Sequence, residues 1–300
     1  MTNRTKGILC ILASALGFSF MNLLVPLAGQ IPTLQKTFFR NIVALGFSVL
    51  FLAIESVRSN KQENKTYQKF PWKLMLLRVS LGTGGLLCNF YALDQLLISD
   101  ASILNKLAPF ATLVFSAVFL KEQISRQDIL SLGLAFIGVL FVTKPSLDSP
   151  HLLPYLFGIA GGMMAGGAYT CVRQLNKLGV PGHWTIFSFS GFSSLVCLVG
   201  LGFHFQPMTL TSLLTLLGAG LGASLGQFGI TYAYKFAPAS EISIFDYSAI
   251  IFTGILGYLF LQQVPDQYSL LGYGIIFLAT FISYQYKRSS IKKHQLVNIK

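Results

Sequence analysis

Ten apolar runs divide this chain, and their length leaves few folds open. They cover about residues 7–28, 36–57, 74–94, 99–120, 127–143, 155–175, 184–204, 211–234, 239–261 and 268–286. A helix needs about 20 apolar residues to cross the hydrocarbon core of a bilayer. In lipid each backbone N–H and C=O must be satisfied internally, so runs of this length become helices rather than open strands. Composition agrees, with 53% of the 300 residues hydrophobic and 11% charged, against about 25% charged in a soluble domain. A folded surface in water needs polar cover that this chain lacks. Disorder, a secreted disulfide scaffold and a cytosolic enzyme are excluded on these grounds. The expected fold class is all-α integral membrane, with ten transmembrane helices. The run after Met1–Lys6 has no small-residue cleavage site behind it and reads as a first helix, not a leader.

Charge gives the orientation. Lys and Arg number 22 against 10 acids, a net charge of +12. In a soluble chain this would suggest nucleic acid, but here the basic residues lie between apolar runs, and the positive-inside rule applies. With the N-terminus in the cytoplasm, 18 basic residues fall on the inner side, including a group of Arg58, Lys61, Lys65, Lys69, Lys73 and Arg78. Lys36, Arg40, Lys106 and Lys144 are the remainder. The expectation is a multi-pass cell-membrane protein with both termini cytoplasmic. Cys10, Cys88, Cys171 and Cys197 lie in apolar runs without metal-ligand spacing and read as reduced packing residues. No metal, cofactor or nucleic acid is expected.

The chain repeats. At a shift of 141 residues, Tyr91–Phe136 overlays Tyr232–Phe277 without a gap. Tyr91-Ala92 meets Tyr232-Ala233, Ser99-Asp100 meets Ser240-Glu241, Thr112 meets Thr253 and Gly133 meets Gly274. Two five-helix repeats follow, residues 1–145 and 146–288, with a basic cytoplasmic tail at 289–300. Five is odd, so the second repeat is inverted in the membrane.

These features resemble the EamA-like family of the drug/metabolite transporter superfamily. The residues that carry the resemblance are Leu107-Ala108-Pro109-Phe110, then Phe119-Leu120-Lys121-Glu122-Gln123-Ile124, then Gly133. The second half matches with Phe260-Leu261-Gln262-Gln263-Val264, but has Gln263 in place of the Glu and Ile250 in place of the Pro. The resemblance implies the ten-helix fold and solute transport. It does not imply a substrate, because the family carries amino acids, nucleotide-like metabolites and drugs.

A few polar residues inside the apolar runs are candidates for the site. Lys106 lies within the fourth run, where a charge costs about 2.5–3.5 kcal/mol on insertion scales. The repeat register sets Asn105 on Asp246 and Lys106 on Tyr247. An opposite pair, Lys106 and Asp246, at matched depth is either a substrate or proton site or an ion pair pinning two helices. Arg40 is either an anion-selective funnel or a cation snorkelling to lipid phosphates. Asn22, Asn89 and Gln227 are site residues or interhelical glue. Most tyrosines read as an interfacial belt; Tyr247, beside Asp246, is the exception. Asp100 and Glu241 read as helix caps, and Asp128 and Asp266 as loop or cap residues. Gly158, Gly162 and Gly166 run at spacing four in the sixth run, and Gly218, Gly222 and Gly226 in the eighth. They are expected to form close seams, with Gly229 outside the seam of the eighth.

The functional expectation is a secondary active transporter moving a small metabolite or drug-like solute by alternating access, proton-coupled or by exchange, as monomer or homodimer among membrane lipids. It is not expected to be an enzyme, since neither HExxH nor Walker A occurs in the sequence. A lipid-modifying membrane enzyme would need clustered His or carboxylates near an interface. A non-transporting structural membrane protein would not need Lys106 and Asp246 at matched positions.

Overall fold

The structure is a computed structural model that describes residues 1–29, 31–59, 70–96, 103–144, 152–202, 205–262 and 264–297. The ten long helices among these residues are α1 (Asn3–Leu27), α2 (Thr33–Ser59), α3 (Trp72–Gln95), α4 (Ala108–Leu120), α5 (Arg126–Thr143), α6 (Leu152–Lys177), α7 (Gly182–Leu201), α8 (Leu210–Phe236), α9 (Ser248–Leu261) and α10 (Gln267–Val297). No strand occurs among the described residues. Nine spans among them are long and apolar enough to cross a membrane, and α3 has the length as well, at 24 residues. The last helix continues to Val297, so it takes in most of the tail that the sequence sets apart at residue 289.

Local chemistry fixes several ends. Ser125 and Asp128 form a reciprocal capping box at the start of α5, which satisfies two N–H groups that a helix otherwise leaves open. Asp266 accepts from the Ser269 N–H at the start of α10 and pairs with Lys144 at the end of α5. Glu241 is not the side-chain cap the sequence suggests. No side chain caps the turn it sits in, and its carboxylate faces Arg4 at 3.8 Å. Asp100 lies outside the described residues. After α4 and α9 the chain turns through left-handed residues, Lys121 at φ 53° and Gln262 at φ 55°. The repeat register makes these two equivalent.

Packing has the symmetry expected of inverted repeats. The principal pairs are α1 with α8, α3 with α6, α5 with α10, α2 with α7, α4 with α6, α2 with α8, α1 with α9 and, to a lesser extent, α3 with α7. Exchanging α1–α5 for α6–α10 in order maps this set onto itself.

Glycines set the closest approaches. A Cβ at Gly222 would lie 2.8 Å from the Gly17 carbonyl and 2.9 Å from the Met21 N–H nitrogen. At Gly229 it would lie 2.7 Å from both the Cys10 carbonyl and the Ser14 nitrogen. Gly229 is therefore part of the α1–α8 seam, contrary to the expectation from spacing four. Three residues beyond Gly226 is still the same helix face, because a helix turns every 3.6 residues. Gly218 is the looser member, meeting only the tip of Leu24 at 3.2 Å. In α6, Gly162 and Gly166 face the backbone of the fourth segment, while Gly161 faces Gly85 and Asn89 of α3.

Two helices are broken at equivalent places. A helical turn at Ile103–Asn105 precedes α4, with a turn at Lys106–Leu107 between them. Pro109 sits in the first turn of α4, where its fixed φ suits a helix start and its missing N–H costs nothing. In the second half a helical turn Ala239–Ile242 and a 3-10 turn Ser243–Tyr247 precede α9. Lys106 and Tyr247, at the two breaks, are partners in the repeat register.

One end of the bundle is tied shut. Glu122, between α4 and α5, pairs with Arg173 and Lys177 of α6 at 2.8 Å each. Its other oxygen accepts from the Ala239 N–H at 3.3 Å. Arg173 also donates to the carbonyl of Tyr234 in α8 at 2.9 Å. Burial pushes the Glu122 carboxyl up, but the hydrogen bonds from Lys177 and Arg173 outweigh this and leave it below the usual carboxylate value. Above this latch lies an apolar core that includes Ile11, Val172, Ile230, Ala233, Tyr234 and Ile242.

Candidate functional site

The broken helices bring Lys106 and Asp246 together. Lys106 Nζ lies 3.6 Å from Asp246 Oδ2, with side chains 21% and 18% exposed. The Tyr247 hydroxyl donates to the Lys106 carbonyl at 3.1 Å, occupying an acceptor that the break takes out of the helical ladder. Tyr247 itself is fully buried. Two residues related by the repeat thus touch each other, as expected close to a pseudo-twofold axis. Both charges remain partly accessible, so a small solute or a proton can reach them.

Aromatic residues adjoin the pair. Tyr169 of α6 and Tyr234 of α8 stack with ring centroids 5.9 Å apart, and the Tyr234 hydroxyl lies 3.4 Å from Ser243 Oγ. Tyr169 is within electrostatic reach of Asp246, Arg78 and Arg40. Arg40 of α2 is half-buried, with its guanidinium carbon 5.9 Å from the centre of the Phe18 ring. Tyr169 and Tyr234 therefore belong to the interior, not to the interfacial belt.

Arg78 is the residue that sequence reasoning missed. Charge counting places it with the inner basic group, yet it lies inside α3 at 1% exposure. Its guanidinium carbon sits 4.3 Å from the centre of the Phe189 ring. Two features point to it in the sequence: Arg78 falls within the apolar run 74–94, and Gly82 follows at the spacing of one helical turn.

The remaining candidates divide. Gln227 is buried in α8, and its Nε2 has no partner; Asn89 Oδ1 in α3 is likewise buried and unsatisfied. Both are the kind of group a bound solute or water would satisfy. Asn22 and Asn105 are exposed and make no hydrogen bond among the described residues. Asn41, not singled out from sequence, donates to Ser193 Oγ at 2.8 Å and joins α2 to α7. A groove of about 480 Å³ opens elsewhere, between α3, α4 and α6, lined by Leu77, Leu81, Phe115, Phe119 and Met163. It is almost wholly apolar and holds none of the charged residues above. Among the described residues no cluster of His, Cys, Asp or Glu could hold a metal ion.

Known proteins resemble this chain in sequence and in fold. The pseudopaline exporter CntI of Pseudomonas aeruginosa is 30% identical over 279 residues, covering 91% of this chain and 94% of its own. An S-adenosylmethionine uptake transporter of Rickettsia bellii is 26% identical over 265 residues, covering 86% and 84%. One solved crystal structure superposes with a TM-score of 0.80 at 15% identity, covering 95% of this chain and 98% of that one, a likeness of fold. Fold and relatives together define a multi-pass membrane transporter. The sequence profile of the EamA-like transporter family matches residues 5–144 and 152–285, and the chain belongs to that family.

Proposed function

We propose that this protein is a secondary active transporter that moves a small polar solute by alternating access. The observation that carries the reading is the Lys106–Asp246 pair, 3.6 Å apart at two repeat-related helix breaks and still partly accessible. Broken helices near the middle of a membrane fold are where carriers place their sites, because the freed backbone groups can face a cavity. The solute binds among Lys106, Asp246, Tyr247, Gln227, Asn89 and Arg40. Asn22 and Asn105 line its approach. The halves 1–145 and 146–288 rock against each other, and residues 289–300 form a basic extension on the cytoplasmic side with the N-terminus.

The Glu122 latch supports a cycle in which one end is sealed while the other is open. Asp246 carries the coupling proton, with Lys106 as its counter-charge 3.6 Å away. The names of the relatives include an exporter and an uptake transporter, which supports a reading in which the gradients set the direction. Purified protein in vesicles with an imposed pH gradient tests this. Protons should move with an added solute from a metabolite panel, and Asp246→Asn should abolish the coupled movement while the protein still folds. Coupled flux that persists undiminished in Asp246→Asn would remove Asp246 from the mechanism.

A further inference from the structure

Arg78 has an unmet electrostatic need. Among the described residues Arg4 faces Glu241, Lys106 faces Asp246, Lys144 faces Asp266, and Arg173 and Lys177 share Glu122. Arg78 is more buried than any of these, at 1% exposure, and has neither ion pair nor hydrogen bond; its Nε is buried without a partner. A guanidinium keeps its proton at physiological pH. Stacking on Phe189 returns part of the lost hydration and no more.

The fold keeps this cation in place and keeps it bare. A Cβ at Gly82, one turn along α3, would strike Arg78 Nη1 and would lie 2.8 Å from the Phe189 ring. The missing side chain is the space in which the fork lies. The titratable groups within electrostatic reach of Arg78 are the Tyr169 hydroxyl and the Cys171 thiol, neither of them ordinarily an anion at pH 7. Arg40 reaches the same Tyr169 and the Cys197 thiol, and it too has no ion pair among the described residues. Tyr169 is within electrostatic reach of Arg40, Arg78 and Asp246, and Lys106 faces Asp246, so three cations stand against one carboxylate, an excess of two positive charges.

We propose that Arg78, together with Arg40, binds the carboxylates of an organic anion, so that the cargo class is a di- or polycarboxylate solute. A planar guanidinium fork takes a carboxylate through two parallel hydrogen bonds, and the excess charge matches a solute carrying two negative charges. Such a cargo supplies the counter-charge that Arg78 lacks, and its departure restores the cost, which keeps binding reversible. The inference rests on the carrier reading above, but its test is read as binding without flux. Failure of transport in vesicles would strike that reading and leave this result standing.

The test is thermal unfolding of the full chain in detergent at low chloride, titrated with succinate, citrate, phosphate and neutral succinamide. A ligand that binds the folded state raises the melting temperature by mass action. Succinate or citrate should raise it in a dose-dependent way, and succinamide should not. Arg78→Gln should move the response to about tenfold or higher concentration, whereas Arg126→Gln, at the exposed start of α5, should leave it unchanged. Should Arg78→Gln fail to fold, Gly82→Ala displaces the fork while keeping its charge, and the same weakening is expected. The proposal is overturned by no shift with either acid, by an equal or larger shift with phosphate or succinamide, or by a shift that survives Arg78→Gln or Gly82→Ala.

Discussion

Tyr247 is a single side chain that closes a gap in another helix: its hydroxyl meets the Lys106 carbonyl at 3.1 Å. Tyr247→Phe should cost about 1 kcal/mol of stability, the worth of one such bond, and should lower transport more than stability if the breaks must hold their shape. Unfolding and flux on the same preparation separate the two effects. The ion pair beside it invites a sharper comparison. Asp246→Asn leaves Lys106 without its acid, whereas Lys106→Met with Asp246→Leu removes both charges, a change that is often neutral or stabilising for a buried pair. The double variant is expected to melt at or above the wild type and to transport nothing; normal flux from it would strip the pair of its role. Lys106 and Asp246 are legible from sequence because a charge inside an apolar run has no bland place to go. Asn22 and Asn105 are less so, since an amide is tolerated on any face. Arg78 is hidden by its position near a helix start, where counting basic residues by loop cannot tell a snorkelling side chain from one folded inward.

Helix contacts depend on which glycines face a neighbour. Gly222 and Gly229 both abut the backbone of α1, and backbone cannot move aside as a side-chain tip can. Gly222→Leu and Gly229→Leu should therefore both abolish folded protein, as overpacking against a fixed wall does. Gly133 and Gly274, partners in the repeat, have open space where a Cβ would stand, with nothing within 4 Å. Gly133→Ala and Gly274→Ala should be silent or should gain up to about 1 kcal/mol from helix propensity. Yield and melting temperature of the four variants decide the matter, and a tolerated Gly229→Leu would show that the seam ends at Gly226. The helices themselves are readable from length and hydropathy, to within several residues at most ends. The seam is only partly readable, because spacing four picks out one ridge of a face that also includes spacing three. The breaks at Lys106–Leu107 and Ser243–Tyr247 are not readable, because Ser, Phe and Tyr there are compatible with an unbroken helix, and Pro109 marks only one of the two.

Closure of one end engages both halves of the molecule at once. The Glu122 carboxyl, below its usual value through the hydrogen bonds of Lys177 and Arg173 despite its burial, contributes stability above its unfolded value of about 4.3 and loses it as pH falls through the lower folded value. Glu122→Gln should thus melt lower than wild type at neutral pH, with the gap shrinking only in acid below about 4; a gap that stays constant to the lowest pH would mean that the carboxylate charge is not what holds the latch. Charge predicts which side of the membrane this end faces. Arg4, Lys121, Arg126, Arg173, Lys177 and Lys235 all cluster at the latched end, and basic residues are retained on the cytoplasmic side during insertion. Lys144 and Asp266 stand at the opposite end, where α5 finishes and α10 begins. In a background with its four cysteines replaced, a cysteine at Gln123, exposed beside the latch, and one at Gln267, exposed at the start of α10, report the two faces. Intact cells treated with a membrane-impermeant maleimide should be labelled at Gln267→Cys and not at Gln123→Cys, and permeabilised cells at both. The reverse pattern would place the latch outside and the termini with it, and would turn the sealed state into one that opens to the cytoplasm.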